Sequence, residues 1–246
     1  MAEELSVEEA VRGAAGPVGK LGGAWMFDAG TAQRGKDLGL QGWSWYHCGR
    51  GGVLGDADAS VVVAAFGFFP PALQRKAWDR GRAVLPVRDV AAAYAEACAD
   101  WGRRTFSDVP AAGRLATLLS RAADAVDPAG IPVFAGWRAL VPSVADDDPA
   151  RLALALQVMR EHRGGLHLVA VVAEGVDPLQ AVVSGRYGPS NAEFFGWPQP
   201  WPDPEAGKAA MAAAEERTDA LVRPAFAALS GAERAELVEG IRGLRT

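Results

Sequence analysis

Pro86-Val87-Arg88-Asp89-Val90-Ala91-Ala92-Ala93-Tyr94-Ala95-Glu96-Ala97-Cys98-Ala99-Asp100-Trp101 is the stretch that decides the fold class. Val87, Val90, Ala91, Tyr94, Ala97, Cys98 and Trp101 recur at three- and four-residue intervals, the period of one helix face. Pro86 stands just ahead of the run, where a missing N–H costs nothing. The same style extends in both directions. Leu115, Leu118, Leu119 and Ala122 share one face of a helix expected between Pro110 and Val126. Ser6-Val7-Glu8-Glu9 and Ser230-Gly231-Ala232-Glu233 are capping boxes that open a first and a last helix. Asp148-Pro149 and Asp177-Pro178 each pair a cap with a proline suited to the first turn. Further helices are expected within 24–40, over 43–50, 60–69, 72–82 and 135–141, and over 205–229. Gly16-Pro17 and Gly164-Gly165 read as breaks, and Gly188 to Pro204 reads as irregular. Leu168 to Val172 is β-branched, but its flanks are helical. The expected fold is all-α, in two similar helical halves, 1–108 and 109–246, with terminal helices at the end of the second.

A faint duplication supports the two halves. Leu54-Gly55-Asp56-Ala57-Asp58-Ala59 precedes Val144-Ala145-Asp146-Asp147-Asp148-Pro149 by ninety positions, and an apolar helix follows each. Acidic runs cap helices in any fold, which is the simpler account.

The 246 residues are half hydrophobic and 22% charged, enough apolar surface to build a core. The net charge of −5 disfavours non-specific nucleic-acid binding, which depends on an excess of cations. The acidic start, Met1-Ala2-Glu3-Glu4, has no apolar signal-peptide region, and the longest apolar run, Val61 to Phe69, is far short of a bilayer span. The expected location is the cytoplasm. Cys48 and Cys98 form neither a disulfide framework nor a CxxC metal site.

Chemistry can come only from a few residues. Trp43-Ser44-Trp45-Tyr46-His47-Cys48-Gly49-Arg50 holds one of three histidines. Arg160-Glu161-His162-Arg163-Gly164-Gly165-Leu166-His167 holds the other two. Imidazole is the usual acid–base group near neutral pH, though each ring also has a plain structural reading at a helix joint. His162 and His167 are five apart, not three or four, so no metal site is expected. Asp58 is read either as a helix cap or as a carboxylate that folds back on His47. The two readings are compatible. Only Lys20, Lys36, Lys76 and Lys208 among the 25 cationic residues are lysine; the rest are arginine. Arg50, Arg160 and Arg163 flank the histidines, and guanidinium suits bidentate binding of an anion. No phosphate-binding glycine loop and no GxSxG elbow are present.

Leu38-Gly39-Leu40-Gln41-Gly42-Trp43, with Tyr46, Arg50 and Leu54-Gly55, resembles the opening motif of an actinobacterial all-helical family described as helix-turn-helix. Arg160-Glu161-His162-Arg163-Gly164 with His167 is similar to its second motif. Thr218-Asp219-Ala220-Leu221, then Pro224-Ala225, is similar to its C-terminal helix. The family usually has an acidic residue where Gly165 stands. Its winged-helix-like segment is reduced here to the Pro/Trp-rich 188–204 stretch, which offers no basic wing for base readout.

The resemblance extends to antibiotic-pathway proteins of the azinomycin azabicycle type. It implies a cofactor-independent cyclase in which an amine displaces a sulfate-like group on the same molecule and closes an aziridine. In that reading His47 and Asp58 are catalytic. Arg50, Arg160 and Arg163, with Trp43, Tyr46, His162 and His167, bind the small-molecule substrate. Trp45, Phe68 and Phe69 add to the wall. The alternative is a non-catalytic small-molecule-binding regulator, or a subunit working beside a homologous partner. The aromatic residues of Trp197 to Trp201 are expected to be partly buried against a homo- or heterodimeric partner or a lid. Neither nucleic acid nor membrane is an expected partner, and no cofactor or metal is expected.

Overall fold

The computed structural model describes residues 4–245. Met1-Ala2-Glu3, the first part of the acidic start, lie outside the described residues. Within them the chain is all-α. Its helices are α1 (Val7–Ala24), α2 (Ala29–Asp37), α3 (Trp43–Gly51), α4 (Ala59–Phe66), α5 (Pro71–Arg82), α6 (Val87–Thr105) and α7 (Ala112–Asp124). There follow α8 (Pro132–Arg138), α9 (Asp148–Ala173), α10 (Pro178–Ser184), α11 (Gly188–Phe195), α12 (Lys208–Ala227) and α13 (Gly231–Gly243). Four single 3-10 turns join them.

α9 is the axis of the molecule. It runs 26 residues, and α1, α6, α7, α8 and α12 pack round it. Its first half is buried on almost every side, from Leu152 to Met159. Close approach needs glycine at two crossings. A Cβ on Gly22 of α1 would stand 2.7 Å from the Leu156 carbonyl oxygen, and one on Gly102 of α6 would stand 2.6 Å from the Ala153 side chain. One apolar cluster then extends from Ala10 to Ile241, drawing on both halves of the chain. The face read from Val87 to Trp101 is buried throughout.

Several boundaries differ from expectation. Gly16-Pro17 does not stop α1. Pro17 costs a hydrogen bond and crowds the preceding turn, but Ala10, Val11, Ala14, Val18 and Leu21 bury one face against α9, α12 and α13, which offsets it. Gly164-Gly165 does not break α9 either. Two interior glycines cost about 1 kcal/mol each relative to alanine, less than packing on both sides supplies. Leu168 to Val172 is therefore helix. The cap of α9 is Asp147, one residue earlier than read, accepting from the Ala150 N–H at 3.2 Å. Pro132 sits inside the first turn of α8 instead of preceding it. The 188–204 segment is not irregular throughout, because it holds α11.

Both capping boxes form. Ser230 Oγ accepts from the Glu233 N–H at 3.3 Å, and the Glu233 carboxylate accepts from the Ser230 N–H at 2.9 Å. Ser230→Ala is expected to cost about 1 kcal/mol in urea unfolding and Ser230→Gly a few tenths, since glycine still permits the cap conformation. The two acidic runs also play one role. Asp58 caps α4 as Asp147 caps α9, each after a helix and a 3-10 turn.

Trp197 and Trp201 pack within the chain. Trp197 Nε1 donates to the Phe68 carbonyl at 3.0 Å, and Trp201 Nε1 donates to the Trp197 carbonyl at 3.0 Å. Both lie on a small satellite core of Val182, Val183 and Ala192. The motive for expecting a partner there, aromatics without a core of their own, is thus met inside the chain. Among the described residues no single helix is long and apolar enough to cross a membrane.

Candidate functional site

An open-sided cavity of about 410 Å³ lies where α9 meets the surrounding shell. α3 contributes Tyr46 and Arg50. The end of α4 and the loop after it contribute Phe66, Phe68 and Phe69. α9 contributes Arg160, Glu161, Arg163, Gly164, Gly165, His167 and Leu168. α10 and α11 close one side with Val182, Asn191 and Phe195, and α12 adds Met211 and Glu215.

One end of the cavity is cationic. Glu161, only 1% exposed, takes a bidentate pair from Arg50: Nε to Oε1 at 2.7 Å and Nη2 to Oε2 at 2.8 Å. Gln157 Nε2 donates to Oε1 at 2.7 Å, and Arg160 Nη1 reaches the same oxygen at 3.1 Å. Arg50 Nη1 also donates to the Tyr46 hydroxyl at 3.2 Å. The guanidinium carbon of Arg50 stands 4.3 Å over the Phe66 ring, a cation–π contact. Burial pushes the Glu161 carboxyl up, but the charge and hydrogen bonds of Arg50, with Arg160 and Gln157, hold it below the usual range. Two guanidinium groups meet one carboxylate here, which leaves one positive charge for a ligand.

The other end is neutral to acidic. His167 Nδ1 lies 3.0 Å from Thr218 Oγ1. The Thr218 hydroxyl has a single proton, and it points to the Ala214 carbonyl at 2.6 Å. The imidazole must therefore donate from Nδ1, and Nε2 carries the lone pair. Burial lowers the pKa of His167; Glu215, 3.7 Å from Nδ1, opposes this, and Arg163 adds to it. The ring is neutral at pH 7. Arg163 pairs with Glu215 at 2.7 Å and Asp219 at 3.3 Å, so two carboxylates outweigh its charge.

The chain belongs to a helix-turn-helix family.

The family's profile matches residues 11–246, which takes in every residue that lines the cavity. No curated protein and no solved structure matches the chain. Of the expected site residues, this family member brings Tyr46, Arg50, Arg160, Arg163 and His167 to one cavity, with Phe68 and Phe69 in its wall. It does not bring His47 and Asp58 together. His47 is 0% exposed, with Nδ1 donating to the Trp43 carbonyl at 2.9 Å and the ring enclosed by Trp43, Tyr46, Phe66 and Phe69. Asp58 is spent on its helix cap, accepting from the Ser60 N–H at 2.7 Å. The eleven-residue spacing allowed the two to meet, but α3 turns His47 inward while the start of α4 lies at the surface.

Trp43, Trp45 and His162 also lie off the cavity. Trp43 packs on His47 and Phe69, Trp45 Nε1 donates to the Thr31 carbonyl at 3.0 Å, and His162 packs on Phe134. Glu161, Glu215 and Thr218 were not among the expected site residues. A signal for Glu161 was present: Gln157 and Glu161 stand four apart, one turn, directly after the apolar run Leu152 to Leu156, and polar residues on a core face need partners. Among the described residues no three His, Cys, Asp or Glu side chains group as a metal site.

Proposed function

We propose that this chain is a cofactor-independent enzyme that closes a ring on a small organic molecule, with an amine displacing a sulfate-like group. The observation that carries the reading is that one cavity holds both a neutral imidazole with a free Nε2 and an arginine pair with one uncompensated positive charge. The ring-closing chemistry comes from the resemblance of the chain's motifs to a family that has antibiotic-pathway members. The role first given to His47 passes to His167. In the step, the amine nitrogen attacks the carbon that bears the leaving group. The N–C bond forms as the C–O bond breaks, and the electron pair departs with the sulfate. Arg50 and Arg160 hold the departing anion, and the N–H proton passes to His167 Nε2. The aromatic walls exclude water and keep the molecule folded for attack. The step balances without an oxidant or reductant.

The second reading is a ligand-binding regulator that uses the same cavity, and the family name favours it. A nucleic-acid ligand for the outer surface is not part of either reading. Many outer arginines are already paired: Arg103 with Glu96, Asp100 and Asp147, Arg114 with Glu236, and Arg217 with Glu174. Paired cations release few counterions on a phosphate backbone.

Sulfate release from 2-aminoethyl hydrogen sulfate separates the two readings. The enzyme reading expects release above the uncatalysed rate, with His167→Gln lowering it on the order of 10²-fold or more while the melting temperature holds. Binding without release, unchanged by His167→Gln, would leave the regulator.

A further inference from the structure

Gly164 stands at the centre of the cavity-facing side of α9. At 100° per residue, Arg160, Gly164, His167 and Leu168 share one side of a helix, and all four line the cavity. The neighbouring glycine has a packing reason, since a Cβ on Gly165 would stand 2.7 Å from the Ile131 side chain. Gly164 has none. A Cβ there would meet nothing within 4 Å, and its φ is an ordinary helical one. A glycine in mid-helix weakens the helix relative to alanine. Here that cost leaves bare backbone between the two charged ends of the cavity.

We infer that Gly164 is the seat of the ligand's body and sets which ligands fit: elongated molecules with a flat, unbranched middle, an anionic group at the Arg50–Arg160 end and a proton-donating or cationic group at the His167–Glu215 end. This rests on the ligand-binding reading of the cavity, an organic anion held by Arg50 and Arg160, and not on the ring closure, whose amine and sulfate stand on adjacent carbons. Arg160 and His167 are seven residues apart, two turns, so the ends are separated by about 10 Å along the axis. The cavity wall also holds Phe68, Phe69 and Phe195, rings on which a flat body can pack while the bare backbone at Gly164 leaves it room. The ends differ in charge sign, so one orientation is favoured.

Calorimetry with two probes tests this: inorganic sulfate, which engages only the cationic end, and 4′-aminobiphenyl-4-sulfonate, which spans both. Gly164→Leu is expected to weaken the biphenyl probe at least tenfold and leave sulfate unchanged. Gly164→Ala is expected to weaken it less and to raise the melting temperature by about 2–4 °C, because the helix gains and nothing clashes. Arg160→Gln is expected to weaken both probes. If Gly164→Leu binds the biphenyl probe as the wild type does while Arg160→Gln does not, the role of Gly164 is wrong and the cavity reading stands. If Gly164→Leu loses both probes and melts lower, the glycine is structural and the inference falls. A wild-type chain that binds neither probe overturns the inference and the cavity reading together.

Discussion

Glu161→Ala is expected to lose roughly 3–5 kcal/mol in urea unfolding, the range for removing one partner of a buried ion pair. The side chain is 1% exposed and accepts from Arg50 twice, from Gln157 and from Arg160. Without it the Arg50 guanidinium remains at the meeting of α3 and α9 with only the Tyr46 hydroxyl and the Phe66 face as partners. Arg160 then stands against Arg50 with no carboxylate between them. Glu161→Gln keeps the shape and one acceptor, and its loss is expected to be smaller. The double variant Arg50→Met with Glu161→Leu is expected to recover most of the stability, since neither charge is then left buried and unpaired. A single Glu161→Ala variant with an unchanged urea midpoint would mean that the network contributes nothing to folding.

Stability is also expected to fall on acidification from pH 6.5 to about 4, more steeply than paired carboxylates alone would cause. His47 and His162 are each lowered to about 4, chiefly by burial; Arg50 adds to this at His47, against the Trp43 hydrogen bond, and Arg138 adds to it at His162. In the unfolded chain both titrate near 6.5. Between the two values the unfolded state binds the extra protons, so stability rises with pH and is lost as pH falls. Above about 6.5 both states are neutral, and below about 4 both are protonated, so the loss is confined to that window. Each ring contributes about 1.4 kcal/mol per pH unit inside it. His167, lowered in the same direction, adds to the slope. Urea unfolding at pH 7.5 and pH 5 measures the effect. His162→Phe removes one titrating ring and is expected to flatten the slope by one histidine's share. Equal stability at the two pH values would refute the account.

What was legible from local pattern follows from local physics. Helix period along 87–101, the two Ser-x-x-Glu boxes and the Asp-Pro pairs depend on neighbours three or four residues away, and the helices they mark start where they were read or, at Asp148-Pro149, with the cap one residue earlier. The punctuation at Pro17 and Gly164-Gly165 misled, because a breaker's cost is local and the packing that outweighs it is not.

The site divides in the same way. Amino-acid type alone marked arginines and histidines as the chemical inventory, and the 160–167 run did line the cavity through Arg160, Arg163 and His167. Which histidine faced it was not a property of any spacing. His47 and His167 each sit near a glycine and an arginine in the chain, yet one is sealed among four aromatic rings and the other lines the cavity with Nδ1 held by Thr218 and Nε2 free. The sequence by itself determined the helices, their caps and the residue types available. Only the tertiary structure decided which charges met, because Arg50 and Glu161 are 111 positions apart and no helical period relates them. It also decided the meaning of Gly164, which in the chain reads as a break and in the fold is an opening on the side of an unbroken helix.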